Sequence, residues 1–292
     1  MLNDPPPEKK RSVHPLEDRA EGIRRAAREA QAQEQPAGEG GRQRVMLRIP
    51  VAKPNLTYAL IAVNVAIFVV MFYILSPDQL NDIYEWGANN KFTVLEQGEF
   101  HRLLTAMFMH GSLTHLAFNM LSLYVIGQTV ERFFGSIRFA LIYFLGGLAG
   151  SVLSVLINAP EVNSVGASGA IFAIVGAELV FLYKHRKLFG AMAQQQLRSL
   201  IIIIALNLFA GFASNLTNVG VSIDNWGHIG GFIGGASLAW YISPFFLPRA
   251  HPDQPGALTI DDVNPLDGQF QNLMIYISGL LAIIIVGVLI TR

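Results

Sequence analysis

The stretch VGASGAIFAIVGAELVFLY, residues 165–183, joins a glycine-rich turn to a long apolar run. Ser168 is its only serine or threonine, and Gly166 and Gly169 flank it closely. Glycine lets the backbone turn sharply and lets another chain segment approach. Taken alone, such a serine is most simply a helix cap. Any other role for Ser168 depends on what the rest of the chain places beside it.

The composition indicates a membrane protein. Of the 292 residues, 52% are hydrophobic and 14% charged, whereas a soluble domain carries about 25% charged residues. The formal net charge of +0 says nothing about partners, and the absence of cysteine excludes disulfides, thiol catalysis and thiolate metal sites. We expect no cofactor, no bound metal and no nucleic-acid partner, and we expect the lipid bilayer to surround the chain.

The polar residues are concentrated in the N-terminal segment 1–53. This segment contains a proline run, Pro5–Pro7, and a basic cluster, but no apolar face wide enough to bury, so we expect a mostly disordered tail. It has no apolar run near Met1, which argues against a cleavable secretory signal, and its acidic residues argue against a mitochondrial transit peptide.

Beyond the tail, apolar segments recur at lengths close to the ~20 residues that cross a bilayer core. We predict seven spans, at residues 56–75, 113–128, 137–158, 168–183, 197–215, 226–247 and 273–290. The long connection 76–112 contains aromatic residues and is expected to form a folded cap in the membrane interface. The predicted fold is therefore an all-α polytopic membrane protein, with a six-helix core at 54–247, a cytoplasmic linker at 248–270 and a seventh helix at 271–292.

Lysine and arginine predict the orientation of these spans. They concentrate in the tail and in the connections on one side, whereas Lys91, Arg102 and Arg292 fall on the other side. The positive-inside rule then puts the N-terminus inside and the C-terminus outside. With that parity, the second, fourth and sixth spans all begin near the outer face.

Polar residues at membrane depth are costly and require an explanation. His115 and Asn119 on the second span share one helix face, because they are four residues apart, and both side chains can donate hydrogen bonds. They lie at the same level as Ser168 on the fourth span and His228 on the sixth. The less specific alternatives are a helix-tying pair for His115 and Asn119 and an interfacial histidine for His228.

Small residues predict how these spans pack. Gly227, Gly231 and Gly235 form a small-xxx-small stripe beside His228, a pattern that lets membrane helices approach closely. The fourth span has its own stripe of small residues that includes Gly169 and Gly176. We expect the two stripes to pack together and to bring Ser168 within reach of His228.

These residues resemble the rhomboid family of intramembrane serine proteases. Four motifs match in order over about residues 55–247: His115-Leu116-Ala117-Phe118-Asn119 preceded by His110, Glu131-Arg132 with Gly135, Gly166-Ala167-Ser168-Gly169, and Gly227-His228-Ile229-Gly230-Gly231. The family often has tyrosine where this chain has Phe172, and tryptophan where it has His101 before Arg102.

The resemblance implies a catalytic dyad in which Ser168 is the nucleophile and His228 the base. It implies an oxyanion hole formed by His115, Asn119 and the Ser168 backbone N–H. His110, Gly166, Gly169 and Phe172 would support this site. The implied substrates are single-span membrane proteins cut near the outer end of their helix, and the implied location is a bacterial plasma membrane with the site open to the outer face.

Two alternatives belong to other functional classes. One is a catalytically inactive rhomboid-like protein that binds membrane proteins without cutting them. The other is a channel or transporter, which would need a polar path to the inner face. Glu178, Asn64 and Asn207 also lie within spans, and we interpret them as partners in hydrogen bonds between helices.

Overall fold

The computed structural model describes residues 51–217, 223–250 and 258–291. The predictions made for residues 1–50 of the tail lie outside this range. The described chain is almost entirely helical, and the predicted all-α polytopic architecture is confirmed.

The helices follow one another along the chain with short connections. They are α1 (Asn55–Val69), α2 (Pro77–Gly87), α3 (Arg102–Thr105), α4 (Leu113–Ser122), α5 (Gln128–Phe134), α6 (Ser136–Ile157), α7 (Ser168–Lys184), α8 (Arg186–Phe189), α9 (Ala191–Thr217), α10 (Asn225–Ile242) and α11 (Phe270–Thr291). Wider π-helical turns extend α1 through Val70–Ile74, join α4 to α5 through Leu123–Gly127, and cover Phe92–Glu96. Short 3-10 turns cover Ala106–Phe108 and Leu266–Gln269.

Each of the predicted spans coincides with a helix, but the helices differ in length. Four stretches of the described chain are long and apolar enough to cross a membrane, namely 55–74, 136–157, 191–214 and 266–291. The other three predicted spans correspond to α4 with α5, to α7 and to α10, which are the helices that carry the anomalous polar residues. The number of membrane crossings therefore stays a prediction.

Helix α7 is short, and protein surrounds most of it. Its 17 residues rise about 26 Å at ~1.5 Å each, less than the ~30 Å of a bilayer core. Most of its side chains are buried, from Ala170 near its start to Leu182 near its end. It is the central helix, and its neighbours determine where Ser168 lies.

Glycine brings α7 against α10 backbone to backbone. A Cβ atom added at Gly231 would lie 2.0 Å from the carbonyl oxygen of Gly169, and one added at Gly235 would lie 2.1 Å from that of Ala173. Since any side chain at these positions would force the helices apart, the two stripes of small residues pack as the sequence predicts. On the α6 side, a Cβ added at Gly150 would lie 2.6 Å from the carbonyl oxygen of Gly227.

Glu131, on α5, has a fully buried carboxylate. It accepts hydrogen bonds from the backbone N–H groups of Leu56 (3.0 Å) and Thr57 (2.7 Å), and from the hydroxyls of Thr57 (2.7 Å) and Ser136 (2.6 Å). Glu131 thus caps the start of α1, where backbone donors lack partners within the helix. Gly135, with φ of 77°, makes the turn into α6.

The segment 76–112, which we call the cap, is folded as predicted; its location in the membrane interface stays a prediction. Its α2 begins with a capping box formed by Ser76 and Gln79. The buried Arg102 guanidinium pairs with Glu99 at 2.6 Å and also donates to the backbone carbonyls of Glu85 and Ala88. These bonds connect α3 to the end of α2 within the cap.

The sixth predicted span was too long at its end. Helix α10 ends at Ile242, because Pro244 disfavours helical backbone in the residue before it and lacks an N–H for the helix. The chain then forms a hairpin of β1 (Phe246–Ala250) and β2 (Leu258–Asp262), paired antiparallel with Phe246 opposite Asp262. This hairpin occupies part of the region that we predicted as a linker.

The hairpin is docked on the helices. Phe246 N–H donates to Nε2 of His185 at 2.9 Å, and Asp262 forms an ion pair with Arg138 at 2.8 Å. The other ring nitrogen of His185 lies 2.8 Å from the carbonyl oxygen of Phe181. Burial lowers the pKa of His185, in keeping with a neutral ring that accepts from the backbone. The hairpin therefore anchors the start of α11 to the bundle.

Candidate active site

Ser168 is the first residue of α7 and follows a strained turn. Gly166 has φ of 127°, a conformation that side chains rarely adopt. The turn is fixed by a hydrogen bond from Gly166 N–H to the carbonyl oxygen of Ala106 (2.8 Å) and by reciprocal backbone bonds between Asn89 and Ser164 (2.9 and 2.8 Å). The N-cap position belongs to Ala167 and has no side-chain cap. The helix-cap explanation of Ser168 is therefore wrong.

His115 and Asn119 approach this turn from α4. A Cβ added at Gly166 would lie 2.8 Å from both Cε1 and Nε2 of His115, and 3.4 Å from Nδ2 of Asn119. Gly166 is thus required for space as well as for its backbone angle. Nδ2 of Asn119 is buried and has no hydrogen-bond partner within the described chain. Since nearly all buried polar groups are paired, this free donor requires an explanation.

The ring of His110 packs against the ring of His115. Its ring is fully buried and meets the His115 ring edge-on, with the ring centroids 5.1 Å apart. Burial, and next the nearby His115, lower the pKa of His110 to about 4. The His110 ring is therefore neutral at physiological pH and packs against His115 without adding charge.

His228 lies in the first turn of α10 and packs on α7. Its ring stacks on Phe172 with the centroids 4.4 Å apart and the planes within 7° of each other. Phe172 is four residues after Ser168 and so shares its helix face. His228 consequently lies against the face of α7 that carries Ser168. Phenylalanine retains the stacking ring expected at this position and lacks only the tyrosine hydroxyl.

Among the described residues, no carboxylate forms a hydrogen bond with His228. Its Nδ1 is buried and has no hydrogen-bond partner in the part of the chain that the structure describes. Within the same residues, no hydrogen bond joins Ser168 to His228. The two side chains lie on facing helix surfaces, held there by the contact of Gly169 with Gly231 and by the Phe172 stack.

Sequence reasoning missed the role of Asp224. Its carboxylate caps α10 by accepting from the backbone N–H of Gly227 at 2.9 Å. An aspartate just before a glycine-rich helix start is a common N-cap signal. A cavity of about 20 Å³ lies behind the serine turn, with Asp224, Asn89 and Ser164 among its walls. It has room for about one water molecule.

The other polar residues within spans form hydrogen bonds of two kinds, either between two helices or within one helix. Glu178 on α7 accepts a hydrogen bond from Gln196 on α9 at 2.5 Å, so its predicted interhelical role is confirmed. The amide nitrogens of Asn64 and Asn207 donate to carbonyls one turn earlier in their own helices, at 2.8 and 2.9 Å. For the buried Asn64, the interhelical role stays a prediction. The interhelical prediction is wrong for Asn207, because its exposed side chain bonds back to its own helix. Among the described residues, no group of three or more His, Asp or Glu side chains is arranged to hold a metal ion.

Fold and site together define a class of protein: a polytopic helical membrane protein in which three helices bring a serine, two histidines and an asparagine around one glycine turn. Residues 97–245 match the family model of the rhomboid domain. This chain belongs to the rhomboid family.

Three relatives illustrate its place in the family. Rhomboid protease GluP of Bacillus subtilis (strain 168) is 39% identical over 198 residues, which are 68% of this chain and 36% of the relative. Rhomboid protease AarA of Providencia stuartii is 31% identical over 221 residues, 67% of this chain and 76% of the relative. Inactive RHOMBOID-like protein 8 of Arabidopsis thaliana is 34% identical over 204 residues, 66% of this chain and 54% of the relative. The chain thus spans about a third of the length of GluP and three quarters of that of AarA.

Proposed function

We propose that this protein is an intramembrane serine endopeptidase in which Ser168 is the nucleophile and His228 the general base. The observation that carries the proposal is the stacking of the His228 ring on Phe172, one helical turn from Ser168. The close contact of Gly169 with Gly231 holds the two helices together beside this stack. The stack places the imidazole against the face of α7 that also carries the Ser168 hydroxyl. Two of the similar relatives are named rhomboid proteases, which supports the same reaction class.

In this mechanism, the Ser168 hydroxyl attacks the peptide carbonyl while His228 takes its proton. The negative oxygen of the tetrahedral intermediate is then stabilised by hydrogen-bond donors. The free Nδ2 of Asn119, the ring of His115 and the Ser168 backbone N–H form this oxyanion hole. As the first residue of α7, Ser168 has an N–H that needs no partner within the helix. His228 then returns the proton to the leaving amine, which departs and leaves an ester between the acyl group and Ser168. A water molecule, deprotonated by His228, attacks this ester; the acid is released and the proton returns to the Ser168 oxygen.

The arrangement favours a dyad over a triad. Both carboxylate oxygens of Asp224 are engaged elsewhere, and Nδ1 of His228 has no partner within the described residues. The base is therefore oriented by stacking on Phe172 and by the position of α10, not by a carboxylate.

We infer that the substrates are single-span membrane proteins cut near the outer end of their helix. A spanning helix satisfies its backbone hydrogen bonds internally, so the cleaved segment must unwind before Ser168 can attack. Glycine, proline or other small residues near the cut ease that step. We propose that the multi-pass chain lies in a bacterial plasma membrane. The lysine and arginine distribution favours an N-terminus in the cytoplasm and a site open to the outer face.

The domain boundaries follow the same proposal: a cytoplasmic tail at 1–53, a protease core at 54–247, a linker at 248–270 and a seventh membrane helix at 271–292. The second candidate function is capture of membrane proteins without cleavage, since one relative is named inactive. The presence of Ser168, His228, His115 and Asn119 together favours the enzyme.

The test is cleavage of a single-span reporter by the protein purified in detergent. Ser168→Ala and His228→Ala are each expected to abolish cleavage while the protein stays folded. His228→Ala should lower the melting temperature somewhat, because it removes the ring that stacks on Phe172. Ser237→Ala is the matched control. Ser237 lies on α10 with His228, and among the described residues its hydroxyl donates to carbonyls of its own helix, at Ile233 and Gly234. Cleavage that survives Ser168→Ala would reject the mechanism, and binding without cleavage by the wild type would favour the second candidate.

A further inference from the structure

Asp224 receives hydrogen bonds from three separate parts of the chain. Its Oδ1 accepts from the backbone N–H of Gly227 at 2.9 Å and from Nδ2 of Asn158, at the end of α6, at 2.9 Å. Its Oδ2 accepts from the hydroxyl of Ser164 at 2.5 Å. A carboxylate can accept several such bonds at once, and bonds to a charged acceptor are the stronger ones.

These bonds link the two halves of the proposed dyad. Ser164 lies four residues before Ser168, in the turn that Asn89 holds from the cap. Asp224 lies one turn before His228, whose backbone N–H donates to the Asp224 carbonyl at 3.1 Å. The Ser164–Asp224 bond therefore connects the turn that carries the nucleophile to the helix that carries the base.

Helix capping alone does not explain this arrangement. An N-cap needs one acceptor for a backbone N–H, and the contact with Gly227 meets that need. The bonds from Ser164 and Asn158 are additional, and each reaches a different element. Since Nδ1 of His228 has no partner among the described residues, Asp224 acts on the site through position and not as a third catalytic group.

We propose that Asp224 is a positioning residue that holds the Ser168 turn and the start of α10 in register through Ser164. The proposal rests on the peptidase function proposed above. A displacement of about 1 Å between reacting groups costs about 10²-fold in rate, so a single bond that fixes this register has a measurable effect on turnover.

Two variants separate this role from capping. Ser164→Ala removes the link and leaves the Asp224 cap intact. Asp224→Ser keeps a residue that caps well but is too short to hold the three neighbours at once. Both are expected to lower kcat for the reporter by about 10- to 100-fold with little change in KM. Both should also slow the labelling of Ser168 by a fluorophosphonate, a probe that contains no peptide.

Three comparisons test the assignment. The double variant Ser164→Ala/Asp224→Ser should be no slower than the slower single variant, because both changes remove the same link. Ser164→Thr keeps the hydroxyl and should retain most of the activity. Ser136→Ala is the matched control, since Ser136 also donates to a buried carboxylate, Glu131, at 2.6 Å; it should lower the melting temperature without lowering kcat.

The proposal is overturned if Ser164→Ala keeps the wild-type kcat and labelling rate, or if its losses only track the fraction of protein that remains folded. Additive effects in the double variant would also overturn it. A wild-type protein that neither cleaves nor labels, or cleavage that survives Ser168→Ala, would contradict the peptidase function instead. The two failures are therefore distinguishable.

Discussion

Gly231→Ala tests whether close packing of α7 and α10 positions the site. The added methyl carbon would lie 2.0 Å from the carbonyl oxygen of Gly169, the residue next to Ser168, and ordinary contact begins at 3.4 Å. The helices must therefore separate by about 1.4 Å, the difference between these distances, unless the backbone bends. Overpacking of this kind typically destabilises a protein by ~1–3 kcal/mol, and a 1 Å error in a reacting pair costs ~10²-fold in rate.

We accordingly expect Gly231→Ala to lower kcat by about 10²-fold or more, with a smaller effect on folding. Gly279→Ala on α11 is the matched control, because a Cβ added there meets nothing within 4 Å. The assay compares reporter cleavage and thermal unfolding in the same detergent for both variants and the wild type. Wild-type kcat in a folded Gly231→Ala protein would refute the reasoning that this contact sets the distance between Ser168 and His228.

Asn119→Ala should lower kcat by about 10²–10³-fold, because it removes one donor from the oxyanion hole. The melting temperature and KM should stay unchanged. A near-normal kcat would count against the oxyanion role of Asn119. Glu131→Ala should lower the melting temperature by several degrees. It leaves two backbone N–H groups at the start of α1 without their acceptor, at a cost of ~1–3 kcal/mol each. Equal melting temperatures of variant and wild type would contradict the capping role. Burial lowers the pKa of His110 to about 4 in the folded protein, whereas a histidine in an unfolded chain has a pKa of ~6.5. Between these two pH values the unfolded state therefore binds more protons than the folded state. The free energy of unfolding consequently falls as the pH drops from about 6.5 towards 4. His110→Phe should flatten that part of the stability curve in thermal unfolding, and an unaltered slope would show that His110 does not contribute to it.

The sequence was sufficient to predict features that depend on local pattern. The apolar runs predict the helices. The stripes of small residues on the fourth and sixth spans predict that these two spans pack together, because each stripe lies on one helix face where another backbone can approach closely. Span parity alone also predicts that His115, Ser168 and His228 share one level in the membrane, and this stays a prediction. The turn at Gly166 was predicted from glycine, although its angle and its fit against His115 were not.

Features that depend on tertiary contacts could not be predicted. Asp224 looks like any polar loop residue until Asn158 and Ser164, distant in sequence, are folded against it. The β1–β2 hairpin was missed because its docking to His185 and Arg138 requires the assembled bundle. Asn207 was misassigned because sequence alone does not tell which face of α9 is exposed.

The most direct test of the central claim is the reaction of Ser168 with a fluorophosphonate, followed by mass spectrometry of the labelled peptide. We predict one adduct, on Ser168, that forms readily in the wild type and is lost in His228→Ala although that variant remains folded. Labelling of Ser168 at the wild-type rate without His228 would contradict the proposed pairing of the two residues.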